Sequence, residues 1–286
     1  MEALVDLHTH SRHSDGALAP AQLVVLAAQR GVGMLALTDH DTTAGLAEAH
    51  VAARAAGLCL VDGVEITAGW RGQEIHIVGL GIDPESSALQ RHLEGLVALR
   101  RARIAAIGLK LARHPKLRDI GQELAAQVLA GDAVPTRAHL ALALVAAGAA
   151  RTRQDAFDRW LGRGTAGHVP QEWPAIEAGI AAIRAAGGQA VLAHAQRYKL
   201  SAGALGNLCG EFRELGGAAL EVSLPALSPN DQHRLGGLAR AHGLAGSAGS
   251  DFHEPGLPWR PLGRFAKLPP GIEPLHARLP GKPHVG

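Results

Sequence analysis

Cysteine is scarce: only Cys59 and Cys209 occur in 286 residues, without a CxxC spacing. A disulfide framework and a thiolate zinc site are both excluded on that count, and the expectation is two buried thiols in a reducing cytoplasm. No run of about 18 apolar residues is present, so no membrane span is expected. The opening residues, MEALVDLHTH, lack the basic start and long apolar stretch of an export signal. Aromatic residues make up only 3% of the chain, and the formal net charge is a modest +2. So small a charge excludes a protein that coats long nucleic acid by bulk electrostatics alone. Nothing calls for an obligate protein partner.

What is present is apolar bulk and histidine. At 47% hydrophobic residues the chain can bury a full-sized core, as one large domain or one domain carrying an insertion. Sixteen histidines invite a search for ligands. Local charge departs from the balance: between Arg91 and Arg118 lie Arg100, Arg101, Arg103, Lys110, Arg113 and Lys116, against only Glu94. Such a run is either a solvated helix face or an anion-binding surface.

The first part alternates strand-like and helical segments. ALVDLH is a short apolar run, and PAQLVVLAAQRG reads as a helix with Pro20 near its start and Gly31 beyond its end. MLALT is a second strand, TAGLAEAHVAARAAG a helix stopping at Gly57, and LCLVDGVEI a third strand. That order predicts parallel pairing with helices packed outside. From about Glu85 to Gly164 helix follows helix without a strand-like run. Strands return in QAVLAH, AALEVS and LAGSAGSDFH. The tail from Pro255 onward, dense in proline (Pro258 and Pro283 among them), is expected to run as extended surface coil rather than form a core element.

Placed on this map, the ligand-type residues fall at strand ends: His8 and His10 after ALVDL, Asp39 and His40 after MLALT, Glu65 closing LCLVDGVE, His194 closing QAVLAH, and Asp251 with His253 after LAGSAGS. His76 lies within a further strand-like run, QEIHIVGL. In a β/α barrel the carboxyl ends of the strands open onto one face, so residues far apart in sequence converge there. Imidazole and carboxylate together suit zinc, manganese or iron(II). In the HTH at 8–10 the two rings point the same way from an extended segment. A single histidine at a strand end is more often a packed or surface residue, but the whole series in order is not a coincidence. His13, His50, His92, His114, His233, His242, His276 and His284 fall on helices or coil and are assigned no function.

DLHTHSRHSDG, ALTDHDT, GVEIT, EIHIVG, VLAH and GSDFH resemble, in order and spacing, the PHP (polymerase and histidinol phosphatase) family of metallophosphoesterases over nearly the whole chain. The arginine-rich helical stretch, PTRAHLA, HVPQEWP and the GSDFHEP ending are most similar to its bacterial nucleoside 3',5'-bisphosphate phosphatases and RNase AM-like enzymes. The resemblance implies an α/β fold, a distorted seven-stranded β/α (TIM-like) barrel over 1–98 and 165–286, with a helical insertion over 99–164. It implies three divalent metal ions, manganese ahead of iron or zinc. His8, His10, Glu65 and Asp251 would hold the first, Glu65 would bridge to a second held also by His76 and His194, and Asp15, His40 and His253 would hold the third. Many relatives read LAHPGRY where this chain reads LAHAQRY, which questions loop shape rather than His194 or Arg197.

The implied activity is removal of the 3'-phosphate of nucleoside 3',5'-bisphosphates (pAp to AMP) by water activated between ions, with trimming of short RNA from its 5' end as a further activity. His8, His10, Glu65, His76, His194 and Asp251 would form the catalytic centre. A nucleotide needs a second anion site, for which Arg137, Arg197, Arg100, Arg101, Arg103 and His139 are candidates, because the guanidinium fork matches phosphate oxygens in pairs. Glu221, in AALEVS, matches no ligand position and is expected beside the ligands or at the core edge. The alternatives are a histidinol-phosphate phosphatase, against which the arginines argue because its substrate has one phosphate, and a non-catalytic PHP module of a polymerase, against which the full ligand set argues.

Overall fold

The computed structural model describes residues 4–257 and 259–281, so Pro258, Pro283 and His284 lie outside the described residues. It divides into two compact units, 1–93 with 173–286, and 94–172.

The first unit begins with β1 (Leu4–Asp6), α1 (Pro20–Gln29), β2 (Val32–Leu37), α2 (Leu46–Ala56), β3 (Cys59–Trp70) and β4 (Gln73–Leu80). Pro20 opens α1 because its fixed φ suits a first helical turn, and Gly57 closes α2 at φ 63°, a left-handed cap that costs glycine little. A long α3 (Ser87–Leu111) leads into the second unit. After it the first unit resumes with α7 (Ile176–Ala185), β5 (Gln189–Leu192), α8 (Ala202–Glu214), β6 (Ala219–Ser223), α9 (Pro229–Ala241) and β7 (Ala245–Ala248).

The seven strands form one sheet in chain order. β1, β2 and β3 pair in parallel, as do β5, β6 and β7, whereas β4 runs antiparallel to both of its neighbours. The reversal is a tight turn at Arg71 and Gly72, both at positive φ (47° and 77°), the geometry that matches strand twist in a two-residue hairpin. The uniform parallel pairing expected of a barrel therefore gives way at β4.

Alternation along each strand sorts side chains to two sides. Met34 and Ala36 enter a buried cluster that also takes Val5, Val61, Val78, Val191, Ala219 and Ala245, so all seven strands feed one interior. Leu35 and Leu37 point the other way, into a cluster with Leu23 and Val24 of α1 and Ala49 of α2. The segments following the two end strands are joined as well: Leu7 N–H donates to Ala248 O (3.0 Å), Asp251 N–H to His8 O (2.9 Å), and Thr9 bridges Phe252 in parallel. A sheet curled in this way brings the ends of β1 and β7 together although some 240 residues separate them.

The tail is not surface coil. Leu262 and Leu275 are fully buried, and Leu275 and Leu279 join the cluster of Val5 and Leu7. Gly246 pairs with Pro274, and the backbone N–H of Gly263 donates to Asp6 (2.8 Å). Proline forbids regular structure here, but the leucines spaced between the prolines still have apolar area to bury, and that decides the path of the chain.

The second unit contains α4 (Gly121–Ala130), α5 (Arg137–Ala146) and α6 (Arg153–Ala156) beside the later part of α3. Ile104, Ile107, Leu111, Leu124, Leu140, Leu144 and Trp160 form its own core.

Candidate metal centre

Nine side chains meet where β1, β2, β5 and β7 end. His8 and His10 follow β1, and their Nε2 atoms approach to 3.1 Å. Glu65 Oε2 lies 3.3 and 3.2 Å from these two nitrogens, and Asp251 Oδ1 3.6 and 3.4 Å. Glu65 also faces His40 Nδ1 with Oε2 (3.1 Å), while its Oε1 faces His76 Nδ1 (2.9 Å) and His194 Nε2 (3.0 Å). One carboxylate thus serves five imidazoles, three on one oxygen and two on the other. Asp15 Oδ1 lies 3.3 Å from His253 Nε2, 3.8 Å from His40 Nε2 and 3.9 Å from His10 Nδ1.

Three groupings have ligand atoms within 4.8 Å of one another: His10 with Asp15, His40 and His253; His8 with His10 and Glu65; and His40 with Glu65 and His76. The donors fit divalent transition metals by an observation independent of spacing. Asp15 Oδ1 and Glu65 Oε2 are buried without a hydrogen-bond partner of good geometry, although rings crowd them. Buried anionic oxygens left that way are costly, and a cation among them removes the cost.

Electrostatics describe the same cavity filled with protons. Burial alone would push His10 and His76 down, but carboxylates overcome it: Asp251 and Glu65 raise His10 to about 9, and Glu65 raises His76 to about 10. His8 is raised as well, by Glu221, Glu65 and Asp251 against its burial. His194 goes down, because burial outweighs Glu65. Against burial, the imidazoles hold Asp15 and Glu65 well below the usual carboxylate range, and Arg260, His253 and Arg197 do the same for Asp251.

Neighbouring residues fix the candidate ligands. Glu221, within β6, takes His8 Nδ1 at 2.7 Å and accepts the His194 backbone N–H at 2.6 Å. This holds the proton on Nδ1 and leaves Nε2 of His8 facing the cluster. In the run TDHD only His40 enters the cluster. Asp39 accepts from Ser11 N–H (2.7 Å) and both hydroxyls of Ser11 and Ser14 (2.6 Å), tying down the loop that carries Asp15. Asp41 accepts from Thr67 N–H (2.8 Å), two residues beyond Glu65. Three of these residues have left-handed backbones, Asp41 at φ 51°, His194 at 30° and Asp251 at 50°, conformations that non-glycine residues hold only where the surroundings over-determine them.

Glu65 and His76 sit inside β3 and β4 rather than at their ends, opposite Val78 and Thr67 in the antiparallel ladder. Of the arginine candidates, Arg197 pairs with Asp251. The others belong to the helical unit. Arg101 is exposed and donates to Leu129 O (3.0 Å), Arg103 is buried and donates to Val169 O (3.3 Å), and Arg137 lies over the Phe157 ring. Arg100 is buried in α3, and His139 Nδ1 accepts the Thr136 N–H (3.1 Å) that caps α5.

Two residues went unnoticed in the sequence. Tyr198, the chain's single tyrosine, accepts the His76 N–H (2.9 Å) and donates to Ala193 O (2.8 Å). Arg260 reaches Asp251 Oδ2 at 3.0 Å. Tyr198 stands beside Arg197 in HAQRYK, a signal that could have been followed; Arg260, seven residues beyond His253 in a proline-rich tail, gives none.

The chain is similar to known proteins. The PHP domain model matches residues 6–80. The 5'-3' exoribonuclease Rnm of Escherichia coli is 44% identical over 274 residues, 94% of this chain and 92% of that protein. The 3',5'-nucleoside bisphosphate phosphatase of Chromobacterium violaceum is 38% identical over 288 residues, 97% and 96% of the two chains. Among solved structures, an amidohydrolase from Chromobacterium violaceum with bound sulfate and no metal superposes with a TM-score of 0.88 at 37% identity, covering 96% of this chain and 95% of that one.

Proposed function

The chain belongs to the PHP family and is a metal-dependent phosphoesterase, and from that premise we propose that it removes the 3'-phosphate of nucleoside 3',5'-bisphosphates, pAp to AMP, and trims short RNA from the 5' end. The observation that carries the reading is the single Glu65 carboxylate shared by five imidazoles, with its Oε2 buried and unsatisfied. Relatives named for these two activities match nearly the full chain.

In this reading the site takes three divalent ions, manganese foremost. His8, His10, Glu65 and Asp251 hold one, Glu65, His76 and His194 another, and Asp15, His40 and His253 the third. Ions there supply charge neutralisation of phosphoryl oxygens and an acidified water. The chain's own residues do the positioning. Glu221 orients His8, Tyr198 fixes the backbone at His76, and Arg197 meets the incoming anion beside Asp251. A phosphate monoester carries two negative charges that would repel the carboxylates if no cation intervened, so the protein's task is to hold positive charge where that anion arrives. Both cysteines are unpaired, which supports a reducing cytoplasm as the place of action. No helix among the described residues is long and apolar enough to cross a membrane.

The test is phosphate release by chelator-stripped protein reloaded with manganese, from pAp and from histidinol phosphate in parallel. Release from pAp that requires the metal is expected. Release from histidinol phosphate alone would transfer the assignment.

A further inference from the structure

The carboxylate of Asp251 is used on both sides. Oδ1 faces the Nε2 atoms of His8 and His10, while Oδ2 is met by Nη1 of Arg197, from the loop after β5, and by Nη1 of Arg260 at 3.0 Å. The same Arg260 Nη1 lies 3.4 Å from the Asp251 carbonyl and 3.2 Å from His253 Nδ1. Asp251 itself is almost wholly buried, 3% exposed, yet the arginine side chains on it are 34% and 27% exposed.

Two guanidinium charges on one carboxylate oxygen are one more than an ion pair needs. Each arginine spends only Nη1, so Nε and Nη2 of both find no acceptor among the described residues. That leaves three N–H groups on each plane, fixed by an anchored Nη1 on a side chain that is itself part-exposed. A guanidinium so held is pre-organised to take two oxygens of a tetrahedral oxyanion.

We propose that Arg260, together with Arg197, forms a two-armed clamp for the phosphoryl oxygens of the group being cleaved, using Asp251 as its hinge. The clamp rests on the phosphoesterase reading of the same site and goes beyond it in naming Arg260 as a residue that touches the substrate. Anchored beside the ligand cluster, the pair meets the phosphoryl group that is cleaved rather than a distant phosphate, so it also holds inorganic phosphate, the product.

The experiment is calorimetric titration of inorganic phosphate into manganese-loaded wild type, Arg260→Met, Arg260→Lys and, as a control, Arg234→Met, an exposed arginine paired with Asp231 on α9. Manganese content and melting temperature are measured for each. The clamp predicts phosphate affinity about 10- to 100-fold weaker in Arg260→Met, from the loss of charge-assisted hydrogen bonds. Metal content stays unchanged, Arg260→Lys falls in between and the control matches wild type. Unchanged phosphate affinity in Arg260→Met overturns the clamp. So does loss of manganese with unaltered phosphate affinity at restored metal, which makes Arg260 a holder of Asp251 only. A wild type inactive on pAp that still binds phosphate through Arg260 sinks the nucleotide reading and leaves the clamp standing; activity on pAp with an indifferent Arg260→Met does the reverse.

Discussion

Glu221 Oε1 lies 2.7 Å from Nδ1 of His8, and the other oxygen of the same carboxylate accepts the backbone N–H of His194. One buried acid therefore sets both the proton position on a first-strand imidazole and the left-handed turn that carries another. Glu221→Gln keeps the shape but offers a neutral partner. Manganese affinity is expected to fall about 10- to 100-fold, as for other carboxylates behind a metal-bound histidine. A metal titration followed by activity checks it, and wild-type affinity in the variant would remove Glu221 from the site's support.

Gly249 has no room for a side chain: a Cβ there would stand 2.4 Å from the Cβ of His8. Gly249→Ala is expected to cost about 1–3 kcal/mol of stability through overpacking and to weaken manganese binding by displacing His8. Gly95, in α3, faces open space, and Gly95→Ala is expected to raise stability by about 0.5–1 kcal/mol. Chemical denaturation of both variants shows whether the two changes move in opposite directions.

In metal-free protein His8, His10 and His76 are held protonated by their carboxylates. His10 and His76, raised to about 9 and about 10, contribute stability that is complete below about pH 6.5 and is lost as pH rises through those values. Asp15, Glu65 and Asp251, held low, contribute stability present above about pH 4 and lost on further acidification. With chelator present, the melting temperature should be highest near pH 5–6.5 and decline toward pH 10. Manganese must displace those protons, so the rise in melting temperature it brings should be larger at pH 8 than at pH 6. A chelated protein that grows more stable from pH 6.5 to pH 9 contradicts this.

The hydroxyl of Tyr198 links a backbone group of β4 to one just past the end of β5. Tyr198→Phe leaves the His76 N–H and Ala193 carbonyl without that partner, a loss of about 1–3 kcal/mol. Because His76 is one of the proposed ligands, the manganese requirement should rise while circular dichroism stays that of the wild type.

The strand-end members of the cluster were legible because each follows an apolar run whose end can be read: HTH after ALVDL, DH after MLALT, and SDFH after LAGSAG. Glu65 and His76 are different. The direction of β4 is set by the Arg71–Gly72 turn and by pairing with β5, neither of which the pattern QEIHIVGL discloses. Within TDHD, sequence cannot tell that neither acid faces the cluster, since buried Asp39 and Asp41 are turned away from it by hydrogen bonds to residues 28 and 26 positions away. Arg260 was hidden for a related reason. Proline density marked its segment as surface, whereas burial of Leu262 and Leu275 folds it back under the sheet and delivers the guanidinium to Asp251.

The return of that tail beneath β1 bears on how the molecule comes off the ribosome. Leu275 and Leu279 share a cluster with Val5 and Leu7, and Gly263 holds Asp6, so the first strand waits for residues that are synthesised some 250 positions later. Until residues 251 and 253 have been synthesised, His8 and His10 lack two of the side chains that face them in the folded protein, so the cluster is complete only late in the making of the chain.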